Sequence, residues 1–152
     1  MKLIRISAEK FSFQLGKRER ELWLAVLRLY PSVPPAHQRL SKTVTLEESA
    51  QQLLNEALAE QRAENRSRLE ALTGDLKRWT RLDSGWRLEL SSFEVEWLLQ
   101  VLNDIRIGSW IALGSPEGRL DTITQETAPH LWSMEMAGAF EMVLLEALEK
   151  GP

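Results

Sequence analysis

Apolar and polar positions alternate over the first fifteen residues and then change period. Leu3–Ser7 and Phe11–Leu15 are short alternating runs rich in β-branched and aromatic residues. The polar Ala8-Glu9-Lys10 separates them, which predicts a β-hairpin over 1–15 with a three-residue loop. A lone hairpin is marginal in water and needs something to pack on. Trp86–Leu90, bounded by Asp83-Ser84-Gly85 and Ser91-Ser92, is the candidate third strand of a small antiparallel sheet.

From residue 17 onward the period becomes helical. Leu22, Trp23, Val26, Leu27 and Tyr30 share one face of a helix predicted over 17–30, which Pro31 ends. Pro31, Pro34 and Pro35 make 31–43 an extended connection. Thr45 and Glu48 have capping-box spacing and Gly74 supplies a stop, so a long helix is expected over 45–73. Its apolar stripe, Leu46, Ala50, Leu53, Leu54, Ala57 and Leu58, gives way to Gln61 and Asn65 before returning at Leu69 and Leu72. Either that polar middle projects into solvent, or Gln61 and Asn65 are buried and hydrogen-bonded to another helix; projection is the expectation.

Ser91 and Glu94 repeat the capping-box spacing and open a helix over 92–113 whose apolar residues fall all around the axis. Pro129 lies in the first turn of a last helix over 129–149, where Leu131, Trp132, Met136, Phe140, Val143 and Leu144 give a similarly broad apolar surface. The pattern therefore predicts one mainly α domain over 1–152: a bundle of about four helices with an N-terminal hairpin or three-stranded antiparallel sheet.

Composition narrows the chemistry. At 152 residues, 43% hydrophobic and 27% charged, the chain can bury a sizeable core. It has no cysteine, which excludes disulfides, thiolate nucleophiles and cysteine-ligated clusters. Charges interrupt every apolar run before it reaches the roughly 18 residues that a membrane span needs, so a cytoplasmic protein without membrane contact is expected. The net charge of −3 hides an uneven distribution, because residues 1–82 hold 15 Lys and Arg against 10 Asp and Glu, whereas residues 83–152 hold 4 against 12. Such opposed halves can attract each other, pair subunits or present a basic face to a nucleic acid.

Glycine-rich phosphate loops, Gly-x-Ser-x-Gly and His-Glu-x-x-His are all missing from the sequence. His37 and His130 are isolated, and the row Glu56, Glu60, Glu64 lacks the histidine partner of helical di-iron sites, so neither a metal nor a cofactor is expected. Polar residues nevertheless cluster in the 92–113 helix as Asn103, Asp104 and Arg106. Asp104 lies within about 20° of Trp97 around the wheel and Arg106 about 160° from Asp104, so these two side chains point to different neighbours. A buried carboxylate and a buried guanidinium each need partners, and Gln61 or Asn65 is the expected partner of Asn103.

The segment Glu96-Trp97-Leu98-Leu99-Gln100-Val101-Leu102-Asn103-Asp104-Ile105-Arg106, followed by Gly108 and Leu113-Gly114, resembles the Leu-Asn-Asp-x-Arg segment of a small bacterial family of unknown function. That family is best known from actinobacteria and is predominantly helical, and the likeness is most specific over residues 96–114. Some members are labelled transcriptional regulators. The resemblance thus implies a regulatory or adaptor protein, with Asn103, Asp104 and Arg106 as this chain's contribution to any family site.

Three functions compete. The leading expectation is a non-catalytic regulatory or adaptor domain that binds another protein, or a second copy of itself as a homodimer, through Trp132, Met136 and Phe140 on the last helix. The alternative is a nucleic-acid-binding regulator using Lys77, Arg78, Trp79 and Arg81, with Lys17, Arg18 and Arg20, since basic residues interleaved with an aromatic suit a phosphate backbone and a base. The third is a small enzyme with a carboxylate and histidine site drawn from Asp104 or Glu135 and His130.

Overall fold

A computed structural model describes residues 1–35 and 47–151. Thr45, Leu46, His37 and most of the 31–43 connection lie outside the described residues. The alternating start forms strands β1 (Lys2–Ser7) and β2 (Lys10–Leu15), antiparallel and joined through Ala8-Glu9. The expected third strand, β4 (Gly85–Ser91), pairs antiparallel with β2, aligning Phe11 with Leu90 and Phe13 with Leu88.

The sheet has a fourth strand that the sequence reading did not anticipate. Strand β3 (Trp79–Leu82) pairs antiparallel with β4, giving the order β1-β2-β4-β3. Four residues beside Lys77-Arg78 resemble the tail of the preceding helix, and Trp79-Thr80-Arg81-Leu82 shows no strand alternation, yet it leads straight into a hairpin turn. That turn depends on Gly85, whose φ of 125° is open to glycine. A Cβ there would also fall 2.3 Å from the Leu15 carbonyl oxygen.

One face of the sheet carries Phe11, Phe13, Leu15, Leu88 and Leu90, all fully buried. Onto the same core close helices α1 (Lys17–Leu27), α3 (Ser92–Ala112) and α4 (Ala128–Lys150). Helix α3 opens with the expected capping box: Ser91 Oγ accepts from Glu94 N at 3.1 Å, and Glu94 Oε2 accepts from Ser91 N at 2.8 Å. Helices α3 and α4 pack along their length, and α1 touches both. Trp23 of α1 meets Phe140 of α4 edge to face, with ring centres 5.1 Å apart.

The fourth helix, α2 (Glu48–Gly74), stands mostly apart from this arrangement. Leu69 and Leu72 are its buried residues, and none of residues 48–60 is buried. The chain is thus largely helical but mixed, with a four-stranded sheet as an equal partner in the core and one helix, α2, that enters the core through Leu69 and Leu72 near its C-terminal end, rather than a bundle with a hairpin attached. No helix of the described residues is long and apolar enough to cross a membrane.

Candidate functional site

The polar middle of α2 lies against α3, contrary to the expected projection. Asn65 is the hinge of the contact: its Nδ2 donates to the Tyr30 hydroxyl at 3.1 Å, while its Oδ1 accepts from Trp97 Nε1 at 3.1 Å. One turn on, the Arg68 guanidinium lies 5.4 Å from the Trp97 ring centre and 5.5 Å from that of Phe93. One turn back, Arg62 donates to the Val33 carbonyl and pairs with Asp104 Oδ2 at 3.9 Å. Helix α2 is therefore attached by a polar and cation–aromatic seam. Hydropathy reads such a stretch as solvent-facing because none of its contacts is apolar on both sides.

Asp104 has a second task at this seam. Its Oδ1 accepts from the backbone N–H groups of Ser32 and Val33, at 2.6 and 3.3 Å, and so fixes the chain where it leaves α1 after the cis Tyr30–Pro31 bond. Gly108, one turn along α3, lets that segment approach: a Cβ on Gly108 would fall 2.4 Å from the Ser32 carbonyl carbon. The acid and the glycine together form a cradle for the 32–33 backbone. Replacing Asp104 with Ala leaves both N–H groups and Arg62 without this acceptor, and a loss of about 1–3 kcal/mol is expected in urea denaturation.

A cleft of about 170 Å³ opens beside the seam, lined by Tyr30, Leu58, Gln61, Arg62, Gln100 and Asp104 among others. It unites Gln61, Asn65 and Asp104 of the sequence candidates but excludes Asn103 and Arg106. Those two point to the far side of α3, where Arg106 Nη2 donates to Asn103 Oδ1 at 3.3 Å and Arg106 Nη1 lies 3.6 Å from Glu141 Oε2. The expected pairing of Asn103 with Asn65 or Gln61 does not form, because Asn103 faces away from α2.

Glu141 was not singled out in the sequence, where it is one of many acids on α4. It is buried, and its Oε1 has no hydrogen-bond partner among the described residues. Burial pushes its carboxyl above the ordinary glutamate range, with Arg106 pulling the other way. Since the folded pKa lies above the unfolded one, Glu141 weakens the fold at neutral pH and this penalty fades as pH falls through the folded value. Glu141→Gln should therefore raise the urea midpoint at pH 7, by an increment that shrinks on acidification.

The basic candidates divide as well. Arg78 is tied up by Glu94 at 2.6 Å and Asp75 at 3.2 Å. Burial of Glu94 opposes ionisation, but hydrogen bonds from Arg78 and the Ser91 backbone outweigh it and hold this carboxyl below the usual range. Trp79 is buried and offers no free stacking face, which corrects its reading as a base platform. Arg81 instead joins Lys17 and Arg20 from α1, across 60 residues of sequence, at a cleft of about 330 Å³ beside Trp86. Lys77 and Arg78 line a different cleft, with Asp75, Glu89 and Glu94.

Of the expected interface residues, Phe140 lies in the chain's own core, Met136 is packed partly against it, and Trp132 is 38% exposed. The apolar surface of α4 suggests an association face, but at Phe140 that surface is taken up by Trp23. His130 and Glu135 are both exposed. Among the described residues, no group of three or more His, Asp or Glu side chains is placed to hold a metal ion. Comparison with family models, curated proteins and solved structures found no match to this chain.

Proposed function

We propose that the protein is a non-catalytic adaptor or regulatory domain whose protruding α2 binds a basic amphipathic helix of another protein. The observation that carries this reading is the first half of α2. Residues 48–60 are helical yet include no buried side chain, and a segment of this length is marginal as an isolated helix in water. Leu53, 67% exposed, and the exposed Ala57 lie on the same side of the helix as Glu56, Glu60 and Glu64. An apolar strip beside an acidic row calls for apolar anchors flanked by Lys or Arg. Residues 47–60 contain four glutamates and no cation, so two copies overlapping there would repel each other, which favours a different partner over a homodimer.

The test is calorimetric titration with an amphipathic Leu/Lys-repeat helical peptide, with a Leu/Glu-repeat peptide as control. Saturable binding of the first alone, abolished by Leu53→Glu, is the expected result. Equal binding of both peptides, or binding unaffected by Leu53→Glu, would overturn the assignment. So would light scattering that shows a dimer dissociated by the same substitution.

A further inference from the structure

The arginines that α2 and the sheet hold against the fold each have an oxygen partner. Arg62 has Asp104, Arg68 has Glu64, Arg78 has Glu94 and Arg87 has Glu89. Arg20 differs. Its guanidinium carbon lies 4.8 Å from the Trp79 ring centre and 4.3 Å from that of Trp86, so two indoles hold it in place. Its Nε, like those of Arg78 and Arg87, is buried without a hydrogen-bond partner, but unlike them Arg20 has no hydrogen bond or ion pair to an oxygen among the described residues.

A guanidinium held by aromatic rings presents its edge, a fork of donors matched to two oxygens of one anion. Arg20 lines the cleft of about 330 Å³ between the start of α1 and the β3–β4 hairpin. Lys17 and Arg81 bring two more positive charges to the cleft, against Glu21 and Asp83.

We infer that this cleft binds the phosphate group of a small phosphorylated molecule, gripped through the Arg20 fork with Lys17 and Arg81 at its sides. Three cations against two carboxylates leave a surplus of one positive charge, which suits a single phosphate rather than a polyanionic strand. The volume falls within the range of small-molecule sites and exceeds what a bare phosphate ion fills. This site is independent of the α2 surface and would supply a regulatory domain with an effector.

The experiment is nuclear magnetic resonance of the full chain, following the Arg20 Nε–H and Trp86 Nε1–H signals during titration with inorganic phosphate, ribose 5-phosphate and a single-stranded oligonucleotide. Saturable shifts of both signals with ribose 5-phosphate are expected, with weaker shifts from phosphate alone. Lys17 and Arg81 are exposed and can be changed without touching the core. Lys17→Gln with Arg81→Gln should weaken binding at least about tenfold, on the scale of lost charge-assisted hydrogen bonds. Phosphate binding as tightly as the sugar phosphate would support the anion grip and overturn the small-molecule assignment. Saturation by the oligonucleotide alone would overturn the single-phosphate assignment. Unmoved signals, or full affinity in the double variant, would overturn the site itself.

Discussion

Replacing Phe140 with Ala lowers the free energy of unfolding by about 3–5 kcal/mol and leaves the oligomeric state unchanged. The ring is 6% exposed and sits edge-on to Trp23, which is itself fully buried, so its removal opens a void between α1 and α4. The truncation removes apolar burial and an aromatic pair contact together. Chemical denaturation monitored by tryptophan fluorescence gives the loss, and light scattering gives the mass. A Phe140→Ala protein of parental stability that changes its mass would mean that the ring lies between subunits instead.

Gly108→Ala and Gly138→Ala should move stability in opposite directions, although both glycines are in helix interiors. On propensity alone each change gains roughly 0.5–1 kcal/mol, because alanine has less backbone entropy to lose. At Gly138 of α4 that gain should appear in full: the nearest atom to a new Cβ is Arg106 Cδ at 3.8 Å, an ordinary contact. At Gly108 of α3 the new methyl would meet three atoms of Ser32 at 2.4–2.6 Å, two of them backbone. The 32–33 segment would have to leave the cradle that Asp104 and Gly108 make for it. Overpacking of this kind costs about 1–3 kcal/mol and can cost more. Parallel denaturation curves of the two variants decide the point, and a stabilised Gly108→Ala would show that α3 and the 32–33 backbone are farther apart than described.

The contrast between these glycines marks the boundary of what the sequence could convey. Periodicity located all four helices, in α1, α3 and α4 because burial enforces their apolar pattern and in α2 although the stripe over residues 48–60 stays unburied, and the Ser91–Glu94 box marked the start of α3. The wheel also separated Asp104 from Arg106, which indeed serve opposite sides of α3. It could not identify their partners. Asp104 holds backbone N–H groups, and a backbone segment leaves no trace in residue type. Gly108 was seen only as part of the resemblance to the Leu-Asn-Asp-x-Arg segment, since the need for a missing side chain depends on what approaches it. Phe140 was misjudged because a helix that is apolar all round does not reveal which side meets its own chain. The Arg20 cleft joins residues of α1 to β3, a strand whose four residues were too few to stand out beside Lys77 and Arg78. Arg20 was noticed for its charge alone, and its two tryptophan neighbours appear only once the sheet is closed.

The seam that ties α2 to α3 bears on cooperativity. Lifting residues 48–60 away would expose little hydrocarbon, because none of them is buried, so the opening should carry a small heat-capacity change and a shallow denaturant dependence. Such a segment can open while the core stays closed. Amide hydrogen exchange should therefore divide the molecule, with the first half of α2 exchanging through an opening nearly insensitive to low urea, and α3 exchanging only with global unfolding. Removing Asn65, which couples Tyr30 to Trp97, should widen that gap.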